Sequence, residues 1–313
     1  MMGYLARRLA AIIPVLFGIS LVTFSLIHFI PGDPVRIMLG RGATAEMMAN
    51  ARHQLNLDQP LYTQYFLWLW NLLHGDLGRS YGMDKPVTDL ILSHFLITLR
   101  LAVFGVIISV LIAVPTGILS ATKKDSAVDY LSRVISSIGI SLPPFFTGII
   151  LILVFALDLR WFPSMGVAPE LFSLDGLKTL LLPAFTIGFY TSTVISRMLR
   201  ATMLEVMEQD YVRTARSKGL SERAVIYGHA LKNALIPVVT VIGTNLGYLL
   251  GGTVIVETVF AWPGLGFLMV TAVLKRDYPL VQGIMLFFAL VFTLANLGVD
   301  MIYSFLDPRI RHR

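Results

Sequence analysis

The sequence predicts an all-α membrane protein with six transmembrane helices and both termini in the cytoplasm. Three observations carry that expectation. First, 56% of the 313 residues are hydrophobic and 14% are charged, too little charge to cover a soluble domain of this length. Second, the apolar residues are gathered into runs long enough to cross a bilayer. Third, Lys and Arg collect on one side of those runs. Helices follow from the runs because a bilayer offers no water, so each segment must satisfy its own backbone N–H and C=O groups.

The formal net charge of +6 fits basic residues that set topology. No RNA- or DNA-binding motif accompanies it, and no nucleic-acid partner is expected. The chain has no cysteine, which excludes disulfides, thiol catalysis and Cys-ligated metals. The first apolar run, Leu9–Ile30, follows Arg7 and Arg8 and superficially resembles a secretory signal. It is longer than a signal core of about 7–15 residues and no small-residue cleavage site follows, so it reads as an uncleaved first span.

The other spans are expected at Ile97–Ala121, Val134–Leu157, Leu180–Leu199, Ala234–Thr258 and Val281–Phe305. Fifteen Lys and Arg residues fall on the side of the termini and nine on the other, five of these nine in the loop 31–96. Long loops weigh little in the positive-inside rule, so fifteen against four places both termini and the segment Arg200–Lys232 in the cytoplasm. Pro14, Pro115, Pro143, Pro144, Pro183 and Pro237 lie within spans, where each removes a backbone donor and kinks its helix.

In the outer segment, Pro31-Gly32-Asp33-Pro34 ends the first span and suits a helix start. It lacks the first glycine of the G-x-G-D run of intramembrane aspartyl proteases, because residue 30 is Ile. Helices are expected over Thr44–Leu55 and Pro60–His74, the second carrying Tyr62, Tyr65, Phe66, Trp68 and Trp70. That aromatic density suits a membrane interface. Gly75-Asp76-Leu77-Gly78 turns the chain, and Lys85–Phe95 leads into the second span. The loop is thus an ordered outer subdomain, with two open readings: it meets a delivered substrate or carrier protein, or it covers the outer surface.

Gly243, Gly247 and Gly251 in the fifth span are spaced by four, the small-residue pattern that lets helices approach closely. Thr244, Asn245 and Tyr248 are candidates to line a path, Asn245 having interhelical hydrogen bonding as its alternative role. Asp300, inside the sixth span, and Arg197 in the fourth are expected to pair and lock two helix ends, since intramembrane carboxylates are costly alone. Glu257–Gly266 reads as a tight outer turn anchored by Trp262. No phosphate-binding G-x-x-x-x-G-K-[ST], H-E-x-x-H or G-x-S-x-G motif occurs, so no catalytic residue, metal site or cofactor is expected on this chain.

The polar segment between the fourth and fifth spans is patterned. Thr202–Ser217 consists of good helix formers, Gly219 suits the left-handed residue that ends a helix, and Ser221 suits the cap of a second helix running to about Asn233. Its acidic residues, Glu205, Glu208, Asp210 and Glu222, come close to balancing its basic ones. A lipid-binding patch would be more one-sidedly basic. A helix–turn–helix of balanced charge beside a membrane reads as a protein dock.

The residues Asp210-Tyr211-Val212-Arg213-Thr214-Ala215-Arg216-Ser217-Lys218-Gly219-Leu220, followed by His229-Ala230-Leu231-Lys232-Asn233-Ala234-Leu235-Ile236-Pro237-Val238, resemble the coupling loop of ABC importer permeases of the peptide/opine/nickel family. Arg213-Thr214-Ala215 stand where the general motif has Glu-Ala-Ala, as is usual for this branch. The resemblance extends to Ser141-Leu142-Pro143, Arg276-Asp277-Tyr278-Pro279 and Asp307-Pro308-Arg309-Ile310-Arg311, and is to the B-type subunit with the larger outer loop. It implies a type I importer permease fold. The division expected is 1–30 for the tail and first span, 31–96 for the outer subdomain, 97–305 for the core with its coupling loop 200–233, and 306–313 for a cytoplasmic tail.

The resemblance also implies the partners: a second, homologous permease, two ABC ATPases that hold ATP and Mg, an extracytoplasmic binding protein, and membrane lipid. It implies import of di- or oligopeptides, glutathione included, with nickel, an opine or another small solute as the alternative within the family. A stand-alone secondary transporter or channel is the alternative class, and the internal repeat of many such carriers is not apparent. The coupling residues carried over are Asp210, Arg213, Ala215, Arg216, Gly219, His229 and Asn233.

Overall fold

A computed structural model describes residues 2–29, 35, 39, 42–54, 56–166 and 173–306; the side chains at 2–10, 26–29, 51, 54, 244–252, 300 and 302–306 lie outside that description. In chain order the helices are α1 (Met2–Phe29), α2 (Ala45–Gln54), α3 (Leu61–Leu73), α4 (Val87–Thr122), α5 (Ala127–Ser141) and α6 (Pro144–Leu151), which continues as a π turn, Ile152–Asp158. Then come α7 (Leu174–Met207), α8 (Asp210–Ser217), a second π turn, Ala224–Ala230, α9 (Leu231–Val259), α10 (Leu265–Leu274) and α11 (Tyr278–Leu306).

Among the described residues four helical stretches are long and apolar enough to cross a membrane: Val87–Thr122, Leu174–Met207, Ala224–Gly243 and Tyr278–Val299. A fifth arises if α5 and the helix Pro144–Asp158 form one span, although they bend by 103°. The described apolar part of α1, Ala11–Ser25, is shorter. The run expected as one span over Val134–Leu157, kinked at Pro143 and Pro144, is broken there into two helices. Pro143 and Pro144 supply no N–H, and the residue before a proline avoids the helical region; Leu142 is extended at φ −84° and ψ 124°. Pro14, Pro115, Pro183 and Pro237 instead remain inside helices. The second helix expected to stop at Asn233 runs without a break through the second π turn into α9.

The chain divides into two compact units, Met1–Ile97 with Gly264–Leu294, and Thr98–Pro263 with Ala295–Arg313. In the first, α1 holds α3 through Tyr65. Its ring lies 5.3 Å from that of Phe24 and its hydroxyl 2.9 Å from Ser20 Oγ. The aromatic helix α3 is thus two-sided: Tyr65 is buried, whereas Tyr62, Phe66 and Trp70 are exposed. A second core joins Val87, Leu90 and Ile91 of α4 to Leu265, Leu268 and Ala272 of α10 and Leu280 and Ile284 of α11. The buried carboxylate of Asp277 fastens the preceding loop to this core. It accepts from Ser80 Oγ at 2.5 Å, Tyr81 N at 3.1 Å and Gly82 N at 3.0 Å.

In the second unit α7 packs against α5, α6 and α9. Its buried Thr186, Thr191, Ser192 and Thr193 donate to carbonyls of their own helix at 2.7–3.0 Å. This internal pairing lets hydroxyls sit in an apolar interior without water. The α4–α7 approach is set by Gly188: a Cβ there would meet Gly105 O and Ile108 Cγ2 at 2.8 Å. Gly243 has a comparable role against Val299, 2.7 Å from where its Cβ would stand. Gly247 and Gly251 of the same stripe lie outside the described side chains, as does Asp300, the expected partner of Arg197. The turn after α9 is as tight as expected, with Trp262 N donating to Glu257 O at 2.8 Å and the indole buried.

Candidate functional site

The polar segment forms a compact exposed element at the junction of α7 and α9. The chain leaves α7 at Met207, turns, and starts α8 at Asp210, where an acidic first residue favours the positive end of the helix. Val212 and Ala215, three apart, are buried with Val225 and pack on Val206 of α7. Asp210, Arg213, Thr214, Arg216 and Ser217 face out. The helix is thus seated by one small apolar face and presents a mixed-charge face to solvent.

Gly219 has φ +80°, the left-handed conformation expected of it, and donates its N–H to Arg216 O at 2.9 Å. Across this turn Arg216 Nε donates to Glu222 Oε1 at 2.9 Å. Arg213 pairs more loosely with Asp210, at 3.6 Å. Both pairs are exposed, and such pairs add about 0–1 kcal/mol each. They keep charges of both signs at the surface.

Ser221 Oγ accepts from Ala224 N at 3.4 Å, consistent with the expected cap. The π turn that follows buries Val225 and Ala230, five apart, a spacing that matches the wider π register. It leaves Tyr227, Gly228 and His229 exposed. Asn233 Nδ2 donates to the Tyr211 hydroxyl at 2.7 Å and ties α9 back to α8. Of the seven residues singled out in this segment, Ala215 seats the helix, Gly219 turns it and Asn233 braces it. Asp210, Arg213, Arg216 and His229 form its exposed surface. The path candidates Thr244, Asn245 and Tyr248 lie outside the described side chains.

Two buried carboxylates beyond this segment escaped the sequence reading as acting groups. Asp129, fully buried, takes a two-pronged bond from Arg200, Nε to Oδ1 at 2.7 Å and Nη2 to Oδ2 at 2.8 Å. In the sequence Arg200 counts as a topology charge and as one of the basic residues of the polar segment, with no partner named. The available signal was Ser126, whose cap of α5 fixes Asp129 in the first turn. Glu257, also fully buried, accepts from Thr98 Oγ1 at 2.6 Å. Among the described residues no group of His, Cys, Asp and Glu could hold a metal ion.

The described residues combine apolar helices long enough to cross a membrane with an exposed helix–turn–helix that carries charges of both signs. Comparison with known sequences is specific. The profile described as "Binding-protein-dependent transport system inner membrane component" matches residues 113–312, and that of the N-terminal part of such components matches residues 1–102. The chain belongs to this family of ABC importer permeases and is an inner-membrane component.

Among its relatives, the dipeptide transport system permease protein DppB of Alkalihalophilus pseudofirmus is 41% identical over 100% of both chains. The glutathione transport system permease protein GsiC of Escherichia coli (strain K12) is 42% identical, again over 100% of both. A solved methionine ABC transporter, MetNI in an inward-facing conformation, matches with a TM-score of 0.58 at 16% identity. The match covers 72% of this chain and 100% of that one, and supports the permease fold.

Proposed function

We propose that this chain is one of two pore-forming subunits of a peptide importer and that residues 200–233 receive an ABC ATPase. The carrying observation is the two-faced α8: Val212 and Ala215 bind it to its own bundle, while Asp210, Arg213 and Arg216 remain outside. Full-length relatives named for dipeptide and glutathione transport support the substrate class. The subunit has six spans with both termini cytoplasmic, as the Lys and Arg distribution supports. A second, homologous permease completes the path, and Thr244, Asn245 and Tyr248 line it. ATP and Mg are held by two partner ATPases. An extracytoplasmic binding protein delivers the peptide to the subdomain 31–96. ATP-driven closure moves α8 and thereby the ends of α7 and α9, to which it is fused; the chain performs no chemistry of its own.

The test is ATP hydrolysis by the complete complex in lipid vesicles against a panel of dipeptides, longer peptides, glutathione and nickel. Stimulation by peptides supports the assignment. Stimulation by nickel alone overturns the peptide substrate while keeping the importer class, and uptake without any ATPase overturns the class.

A further inference from the structure

Asp129 lies outside the segment 200–233 and touches three helix ends. The Ser120 hydroxyl near the end of α4 donates to its Oδ1 at 2.6 Å. Arg200, near the end of α7, grips both oxygens, and the backbone N–H of Asp125 donates to Oδ2 at 3.1 Å. Arg133, one turn further along α5, stands 3.6 Å from Oδ1. Four donors on one fully buried carboxylate exceed what a helix start needs, since Ser126 already caps α5. The adjoining cavity, bounded by Ser120, Arg133 and Arg200, holds about 10 Å³. That is at or below the room one water needs, about 10–15 Å³, so the space beside these donors is small.

Arg200 is also the link toward the exposed helix. Six residues on, Val206 carries the seat of α8. Leu199, next to Arg200, and Met203, between it and Val206, share one buried core with Ala230 and Ala234 and with Ala113, Ile118 and Ala121 of α4. Thr202 Oγ1 donates to Ala234 O at 3.1 Å. Apolar contacts of this kind permit helices to slide, whereas a two-pronged, charge-assisted bond fixes direction and register.

We propose that Asp129 is a positioning residue of the transport cycle: its carboxylate clamps the ends of α4, α5 and α7 into one rigid piece with the coupling segment. A push on α8 then turns three helices together instead of bending α7 alone. The inference rests on the reading of residues 200–233 as an ATPase dock.

Asp129→Asn is the main test, with Ser120→Ala as a milder variant that removes one donor and leaves the ion pair intact. Both are assembled with the full set of partner subunits in lipid vesicles, where ATP hydrolysis and dipeptide uptake are measured on the same preparation. The chain has no native cysteine, so spin labels at Leu131→Cys and Glu205→Cys, both exposed, report the distance between α5 and α7. The unaltered clamp should keep one narrow distance with and without trapped nucleotide. Asp129→Asn should broaden it and lower uptake per ATP hydrolysed about 5-fold or more, the scale of a typical coupling energy. Ser120→Ala should act in the same direction, less strongly, and decides the matter if Asp129→Asn does not assemble. An unbroadened distance with unchanged uptake per ATP in the assembled variants overturns the clamp. Absence of ATP-dependent uptake in the unaltered complex overturns the importer reading instead.

Discussion

Gly219 offers the sharpest perturbation of the proposed coupling segment. Its φ of +80° ends α8, and no atom lies within 4 Å of where a Cβ would stand. Substitution there meets no wall, so its cost is backbone strain alone. The left-handed conformation costs an ordinary residue about 1–2 kcal/mol, and a β-branched residue is the least tolerant of it. Gly219→Val should therefore displace the turn by roughly 5–30-fold in population. The Arg216–Glu222 bridge across it, within its ~0–1 kcal/mol, cannot restore it. The core under α8 is untouched, so the protein should accumulate in the membrane as before. Substrate-stimulated ATP hydrolysis by the reconstituted complex should fall by a comparable factor. Gly219→Asn is the control: asparagine enters the left-handed region far more readily and should retain most coupling. Equal stimulation in the Val variant and the unaltered protein would refute the claim that this turn places α8 for its partner.

Gly188→Ala should lower the thermal stability of the purified protein by about 1–3 kcal/mol, because the new methyl meets the Gly105 carbonyl and Ile108 at 2.8 Å; an unshifted unfolding midpoint would contradict the close α4–α7 contact. Asp277→Asn should cost about 1–3 kcal/mol, since an amide NH2 would face a hydroxyl and two N–H donors, and limited proteolysis should then cut within residues 79–86. Burial, and secondarily the Asp277 carboxylate, push the Tyr81 hydroxyl up to about 12. An unfolded tyrosine loses its proton near ~10, so the folded state binds more protons between the two values and stability falls as pH rises from about 10 to about 12. The ultraviolet phenolate titration of the protein minus that of Tyr81→Phe should show the late-titrating group, and a difference centred near the ordinary value would count against its burial.

The sequence by itself determined the apolar helices, because a bilayer leaves helical hydrogen bonding as the solution for each long apolar run. It also determined the local punctuation. The left-handed Gly219 and the cap at Ser221 depend on near neighbours in the chain, so their chemistry is legible in order. The same locality limited the reading. Val134–Leu157 was hydrophobic enough for one span, but composition carries no direction, and the two prolines turned the chain by 103°. Asn233 was expected near a helix end and instead lies inside a continuous helix, because a π turn keeps Val225 and Ala230 on one buried face.

The long-range polar contacts could be decided only by the tertiary structure. Asp129 and Arg200 are separated by 71 residues and Ser80 and Asp277 by 197, and nothing in the local pattern of either member names the other. The sequence supplied the exposed face of the proposed coupling segment because it is built within one short stretch of chain. What holds that surface to the rest of the bundle depends on which helices pack side by side, and a single buried carboxylate acquires its partners only once they do.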